Sequence, residues 1–394
     1  MTSVINSATI ARLASLDAFR GITIIMMIFV NNPGSWSHMY APLQHAEWNG
    51  WTLTDTIFPF FIFIMGVSIT LAFSKKILAG IEKPQLYREI FSRSCKLFIL
   101  GLLLNLLSID LFAPDHDWIT DTLFKVRIMG VLQRLSLVYA ASSLLFLNAS
   151  RNTLITLCIA TLCLYWLVML YAPFSAVINN NPVDLTGSLE HGKNFAAWID
   201  NLVFGSSHVY VTKNVLIPYD PEGLLSTFPA IVTCLIGVLT GMYLQNNKPA
   251  PMKMTTLFLT GLVFISIAQV MDAGFPVNKT IWSPSYVVLM AGLALIFLAV
   301  CMYLFDRKEP GCVAMFINVF GMNAIFFFVA SGILARLILM FRVDNTRLRD
   351  WLYNQYFLPV FGGKFGSMIF SVAFLLVFYA VLVWMYKKKI FLKL

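Results

Sequence analysis

Residues 55–74 read DTIFPFFIFIMGVSITLAFS, a run of twenty residues in which the only charged side chain is that of Asp55. At the 1.5 Å rise of an α-helix, such a run extends about 30 Å, the thickness of the hydrocarbon core of a bilayer. A second apolar run, residues 16–32, precedes it and ends in Asn31 and Asn32. The two runs predict a pair of transmembrane helices joined by residues 33–54.

The composition extends this prediction to the whole chain. Of its 394 residues, 59% are hydrophobic and only 12% are charged, whereas a soluble domain carries roughly 25% charged residues. Because the missing polar surface must face lipid, we expect an all-α membrane helix bundle that forms one domain over residues 1–394. About ten transmembrane helices are predicted, near residues 16–32, 55–74, 91–109, 128–147, 153–172, 224–245, 254–271, 285–304, 312–340 and 366–386.

The basic residues lie between the apolar runs and form no stripe. The net charge of +9 therefore does not indicate a nucleic-acid partner. When both termini are placed in the cytoplasm, sixteen Lys and Arg residues fall on the inner side and nine on the outer side. Since cytoplasmic loops are enriched in these residues, we predict this orientation, with lipid as the surrounding partner.

Two further features limit the chemistry. None of the six cysteines has CxxC or metal-ligand spacing, so we expect no metal site. Residues 173–223 are too polar to span a membrane and too long for a tight connection. We expect them to form an extracytoplasmic cap, which either binds a polar, cyclic ligand or serves as a structural lid.

The loop after the first helix carries the clearest chemical signal. Asn31 ends that helix, Asp55 opens the next one, and His45 lies in the short loop between them. The two helices therefore force these three residues close together. A histidine beside a carboxylate is the usual composition of a base or nucleophile with its orienting partner. Asp17 and Arg20, at i and i+3, are in contrast interpreted as an ion pair at a helix start.

Several long motifs resemble the heparan-α-glucosaminide N-acetyltransferase family and its bacterial relatives. The resemblance covers nearly the whole chain in order. It rests on RLASLDAFRGITIIMMIFVNNPG at 12–34, QHAEWNGWTLTDTIFPFFIFIMGVS at 44–68, RIMGVLQR at 127–134, GSSHVY at 205–210, YDPEGLLST at 219–227, VNKTIWSPSY at 277–286 and FGMNAI at 320–325.

The resemblance implies transmembrane acetyl transfer from cytosolic acetyl-CoA to a sugar acceptor on the far side of the membrane. The family's active histidine stands in an H-A-x-W-N-G motif, which corresponds to His45. The family asparagine and the carboxylate that opens the next helix correspond to Asn31 and Asp55. We expect His45 either to carry the acetyl group as an acyl-imidazole or to act as a general base. Asp55 would orient the imidazole, and Asn31 would donate to the oxyanion.

Binding residues are assigned on the same basis. The CoA phosphates need cations, and Arg20, Arg127, Arg134 and Lys279 are the candidates, although each equally fits a role in topology or helix pairing. The candidates for the acceptor site are Trp48, Asn49, His208, Asp220 and Glu222. The pair Trp48 and Trp51 is interpreted either as an interfacial anchor or as a sugar-stacking platform.

Two other classes of protein compete with the acetyltransferase. A sugar permease without acyl chemistry is the main alternative, because some bacterial relatives are described as N-acetylglucosamine transporters, but no inverted repeat is visible. The polar cluster argues against a membrane scaffold. The lysosomal enzyme of this family carries a further N-terminal helix and a lumenal domain, which we do not expect in this chain, so its heparan substrate is not carried over. We expect a bacterial inner-membrane protein, with a homodimer left open.

Overall fold

The structure, a computed structural model, describes residues 13–107, 110, 115–178, 180–306, 316–317, 320–321 and 324–388. Most of these residues are helical. The helices are α1 Ala14–Asn31, α2 Ile57–Leu78, α3 Lys83–Leu106, α4 Val131–Asn148, α5 Arg151–Tyr171, α6 Phe195–Phe204, α7 Thr227–Leu244, α8 Ala250–Asp272, α9 Pro284–Phe305, α10 Ala324–Met340, α11 Leu348–Leu352, α12 Leu358–Phe361 and α13 Gly363–Lys387.

A helix coincides with each of the ten predicted apolar segments, but not all of these helices are shown to be spans. Eight helices of the described residues are long and apolar enough to cross a bilayer, which identifies an integral membrane protein. The two exceptions are α3, which carries four basic residues, and α10, which has 17 residues. The count of ten and the orientation of the termini therefore stay predictions.

The ninth predicted segment, residues 312–340, is described only in part. Its C-terminal portion is α10, which continues through Gly332 without a break. The length of the segment predicts a helix that is tilted, or broken near Gly321 or Gly332. Because residues 307–315, 318–319 and 322–323 lie outside the described residues, a break near Gly321 stays a prediction.

The all-α expectation is wrong for the region predicted to form a cap. Between α5 and α7 lie two antiparallel hairpins, β1 Ser175–Ile178 with β2 Asn181–Asp184 and β3 Leu189–Glu190 with β4 Lys193–Asn194. A third hairpin, β5 Arg342–Val343 with β6 Thr346–Arg347, follows α10. The turns of these hairpins contain residues at positive φ, such as Asn180, Gly192 and Asn345, and such backbone favours a reversal over a helix.

Helices α2 and α7 approach each other closely at two glycines. A Cβ atom on Gly66 would lie 2.0 Å from the carbonyl oxygen of Cys234, and one on Gly237 would lie 2.1 Å from that of Phe63. Small residues allow such backbone contact between membrane helices. This contact fixes α2, which begins two residues after Asp55.

The ends of α1 and α2 define two ends of the bundle. Asn31 ends α1 and Asp55 precedes α2, so both lie at what we call the His45 end. Arg20 lies toward the start of α1, and Lys76 lies in the last turn of α2, at the Lys76 end. At 1.5 Å per residue, Lys76 is about 30 Å along α2 from Asp55, close to the thickness of a hydrocarbon core.

The α2–α7 contact predicts that Gly237→Ala destabilises the protein. The added methyl group must push Phe63 away, and overpacking of this kind costs roughly 1–3 kcal/mol. The measurement is the thermal unfolding midpoint in detergent. Gly332→Ala is the matched control, because a Cβ there meets its nearest atom at 3.4 Å. A Gly237→Ala midpoint equal to or above that of the control would contradict the packing.

Candidate functional site

His45 and Asp55 are in direct contact, as their spacing predicts. The Nδ1 atom of His45 lies 2.6 Å from Oδ1 of Asp55. Because an ionised carboxylate only accepts hydrogen bonds, Nδ1 carries a proton, and in the neutral form of the ring Nε2 has the lone pair. The Asp55 side chain is 1% exposed, whereas that of His45 is 49% exposed. The ring therefore has one fixed edge and one accessible edge.

The carboxylate of Asp55 is held from several directions. Its Oδ2 atom accepts the backbone N–H groups of Ala46 and Thr52, each at 3.0 Å, and the Thr52 hydroxyl at 3.2 Å. The Tyr286 hydroxyl donates to the backbone carbonyl of Asp55 at 2.6 Å. These bonds cap the first turn before α2 and fold the His45 loop back onto it. The orientation of the imidazole is thus set by backbone groups.

Lys279 joins this pair from a distant part of the chain. Its Nζ atom lies 3.0 Å from Nδ1 of His45 and 3.3 Å from Oδ1 of Asp55. The preceding residue, Asn278, donates to the Trp48 carbonyl oxygen at 2.9 Å and is fully buried. Burial lowers the pKa of Lys279, and the carboxylates of Asp55 and Glu222 only partly offset this effect. The sequence did not single out Asn278 as the residue that positions Lys279.

His45 and Asn31 line one cavity of about 160 Å³, which we call the histidine cavity. Lys279 and Glu222 also line it, and the remainder of its wall is mainly apolar. The structure therefore brings the predicted trio of Asn31, His45 and Asp55 to one place, with Asp55 behind the histidine.

A larger cavity of about 570 Å³ lies at the Lys76 end, and we call it the basic cavity. Four cations line it: Arg20, Lys76, Arg93 and Lys96. Two of them form ion pairs among the described residues. Lys76 pairs with Glu89, and Arg20 contacts Asp17 at 3.3 Å, the predicted helix-start pair.

The basic cavity and the histidine cavity have three lining residues in common, Phe61, Leu135 and Ile325. These apolar side chains form the partition between the two spaces. A group that passes this partition moves from the basic cavity to His45 within the bundle.

Lys76, Arg93 and Lys96 are among the sixteen basic residues whose distribution predicts the orientation, and the sequence alone indicates no further role for them. Arg93 and Lys96 stand three residues apart on α3, a spacing that puts them on one face. The Arg93 guanidinium also packs 4.8 Å from the ring centre of Tyr139. The spacing of Arg93 and Lys96 is visible in the sequence and indicates a shared helix face, but it does not reveal that α3 faces Arg20.

The four cations predicted to bind CoA do not lie together. Arg20 lines the basic cavity, whereas Lys279 contacts His45. Arg134 is fully buried, packs 5.0 Å from the Trp282 ring and donates to the Gly223 carbonyl oxygen at 3.2 Å. It thereby fixes the turn before α7.

Arg127 is bound by two predicted acceptor residues. It donates to both carboxylate oxygens of Asp220, at 2.7 and 2.6 Å, and also to Glu222. Although burial opposes it, the charge of Arg127 lowers the pKa of Glu222. Of these three residues, Glu222 alone lines the histidine cavity.

The other predicted acceptor residues, Trp48, Asn49 and His208, contact groups of the protein itself. The Trp48 indole donates to the Leu189 carbonyl oxygen at 2.9 Å, and Asn49 accepts a bond from Asn278 at 3.3 Å. The Nδ1 atom of His208 lies 2.8 Å from the Val126 carbonyl oxygen. None of these three side chains lines the histidine cavity as the described residues form it.

Asp200, on α6, organises the turn that carries Asp220 and Glu222. Its carboxylate accepts the N–H groups of Leu224 at 2.8 Å and of Asp220 at 3.3 Å. It is 2% exposed, and burial raises its pKa to about 7. Asp220 and Arg134 are the charged groups beside it.

Comparisons with known proteins agree with these motifs. Residues 12–271 match the family model described as heparan-alpha-glucosaminide N-acetyltransferase, catalytic. The human protein named heparan-alpha-glucosaminide N-acetyltransferase is 32% identical over 366 residues, covering 83% of this chain and 54% of the relative. The mouse protein of the same name is 31% identical, with 82% and 54% coverage. The chain thus spans about half the length of these relatives.

The raised pKa of Asp200 predicts that folding stability decreases as the pH rises, and that Asp200→Asn removes this decrease. Its carboxylate binds a proton more tightly in the folded than in the unfolded state, where its pKa is near 3.8. Folding stability is therefore lost as the pH rises from about 4 to 7, by an amount on the order of 4 kcal/mol at most. In thermal unfolding from pH 5 to pH 8, we expect the midpoint of Asp200→Asn to rise relative to wild type. A constant difference would contradict this.

Proposed function

The chain belongs to the heparan-alpha-glucosaminide N-acetyltransferase family, and on this premise we propose that it transfers acetyl groups across a membrane from acetyl-CoA to an amino sugar. The observation that carries the proposal is the arrangement of two cavities. A carboxylate-bound histidine lines one, cations line the other, and three apolar side chains lie between them.

The basic cavity is the proposed site of CoA. The nucleotide end of CoA carries several phosphate charges, and cations in a partly closed cavity stabilise such charges. Arg20, Arg93 and Lys96 supply them, and Lys76 adds to them. Of the four cations that the sequence analysis assigns to the CoA phosphates, only Arg20 lines this cavity. The pantetheine arm is narrow and largely uncharged, so it suits the apolar partition at Phe61, Leu135 and Ile325.

His45 is the proposed acetyl carrier. Its Nε2 lone pair attacks the thioester carbonyl, the C–S bond breaks, and CoA leaves as a thiol after taking up a proton. The acceptor amine then attacks the acyl-imidazole, the bond from carbon to Nε2 breaks, and the amine releases a proton. Asp55 supports both steps, because its bond to Nδ1 orients the ring and stabilises positive charge on it.

Two neighbouring groups suit the charges that develop. The Lys279 ammonium lies beside the ring, with Nζ 3.0 Å from Nδ1, and adds a positive charge to the lining of the same cavity. We assign to Asn31, which lines the same cavity, a hydrogen bond to the carbonyl oxygen as it becomes negative. Glu222, which also lines this cavity, offers a carboxylate to the acceptor amine.

The carrier role of His45 predicts a labelled protein intermediate. Purified protein mixed with acetyl-labelled acetyl-CoA in the absence of acceptor should retain label, and addition of glucosamine should release it as acetylated sugar. His45→Ala should lose the label and about 100-fold or more of the transfer rate. His38→Ala is the matched control, since its ring packs near Tyr353 instead.

Two results would separate the alternatives. Product formation without retained label would contradict the acyl carrier and favour general-base catalysis by His45. Absence of any transfer, together with uptake of sugar into liposomes without acetyl-CoA, would contradict the acetyltransferase itself.

The CoA assignment predicts that Lys96→Gln raises KM for acetyl-CoA by roughly 10-fold, the cost of one lost charged hydrogen bond. KM for S-acetylpantetheine, which lacks the nucleotide phosphates, should not change. Lys75→Gln is the control, because Lys75 is exposed and does not line the basic cavity. Equal effects of Lys96→Gln on both donors would contradict a phosphate contact.

A further inference from the structure

A third cavity of about 410 Å³ adjoins the histidine cavity at the same end of the bundle. Both are lined by Asn31, and four apolar residues of α1, α4 and α10 are also common to them. Arg127 and Arg336 line this third space, which we call the arginine cavity. A molecule held in it would reach His45 without crossing the partition to the basic cavity.

The charges that line the arginine cavity have one sign. Among its described lining residues, Arg127 and Arg336 are charged and no carboxylate is present. The two carboxylates that neutralise Arg127 approach it from outside this lining. Arg127 is therefore satisfied by protein groups, and the remaining charge is that of Arg336.

Arg336 has no carboxylate partner among the described residues. Its Nη1 atom donates to the Gly332 carbonyl oxygen, one turn back on its own helix, at 3.2 Å. The side chain is half-buried on α10, an apolar helix. A charged side chain within a membrane helix is costly, and such residues face cavities and mark ligand pathways.

A buried amide donor lines the same cavity. The side chain of Gln133 is 1% exposed, and its Nε2 atom has no hydrogen-bond partner among the described residues. Burial of an unpaired donor costs free energy, so a ligand that accepts a hydrogen bond there is favoured. An arginine and an amide donor together suit a carboxylate, sulfate or phosphate group.

We propose that the arginine cavity binds an anionic group on the acceptor, with Arg336 as its charge partner, so that the protein selects acidic amino sugars over neutral ones. This inference rests on the proposed acetyltransferase function. The anion would lie in the arginine cavity, and the acceptor amine would extend past Asn31 into the histidine cavity. Arg336 is thus a specificity residue and takes no part in the acyl transfer.

The test compares glucosamine with glucosamine 6-sulfate and glucosamine 6-phosphate as acceptors at fixed acetyl-CoA. For wild type, kcat/KM should be about 10- to 100-fold higher for the two anionic sugars. Arg336→Gln should reduce this ratio to near one through a higher KM for the anionic sugars, with glucosamine turnover unchanged. Arg336→Lys should restore part of the ratio. Arg342→Gln is the control, because Arg342 is exposed and does not line the cavity.

The outcomes separate the two proposals. Acetylation of all three sugars with equal kcat/KM, or a ratio unchanged in Arg336→Gln, would overturn the anion site and leave the acetyltransferase intact. No acetylation of any acceptor by wild type would instead contradict the proposed function. Loss of the wild-type ratio on addition of phosphatidylglycerol vesicles, with no effect of these vesicles on Arg336→Gln, would assign the cavity to a lipid headgroup and overturn the acceptor assignment.

Discussion

The contact between His45 and Asp55 is the interaction on which the account depends. Asp55 is fixed before α2 by backbone N–H groups, the Thr52 hydroxyl and Tyr286, so it presents one oxygen to Nδ1 of His45 in a defined direction. His45 itself lines the histidine cavity. Without this bond, a histidine in an exposed loop would sample many orientations and would give no directed chemistry.

The positions of the two cavities define the direction in which the acyl group would move, from the basic cavity to His45. A charged nucleotide is costly to move through a bilayer, whereas a two-carbon acyl group is small and uncharged. Cations at the Lys76 end suit the charged nucleotide, which stays on one side. The apolar partition at Phe61, Leu135 and Ile325 suits the uncharged acyl group, which moves. The proposed division therefore explains why one bundle has a basic cavity at one end and a histidine at the other.

The sequence predicted what is encoded locally. The apolar runs located the helices, and the loop between Asn31 and Asp55 predicted the proximity of His45 because it leaves little freedom. Contacts between distant segments were not predictable in this way. Lys279 contacts His45 although 234 residues separate them in the sequence. The buried side-chain amide of the preceding residue, Asn278, holds this segment against the loop of Trp48. Likewise, Arg93 and Lys96 resemble orientation signals until α3 is seen to face Arg20, and the hairpins before α6 depend on turns in short, polar segments.

The central claim is that acetyl groups cross the bilayer while CoA stays on one side, and sidedness tests it most directly. Protein is reconstituted into sealed liposomes that contain an amino-sugar acceptor, with labelled acetyl-CoA added only outside. We expect acetylated sugar to accumulate inside, and we expect this product to be lost in His45→Ala. Acetylated sugar that forms only when both substrates are on the same side would contradict the account.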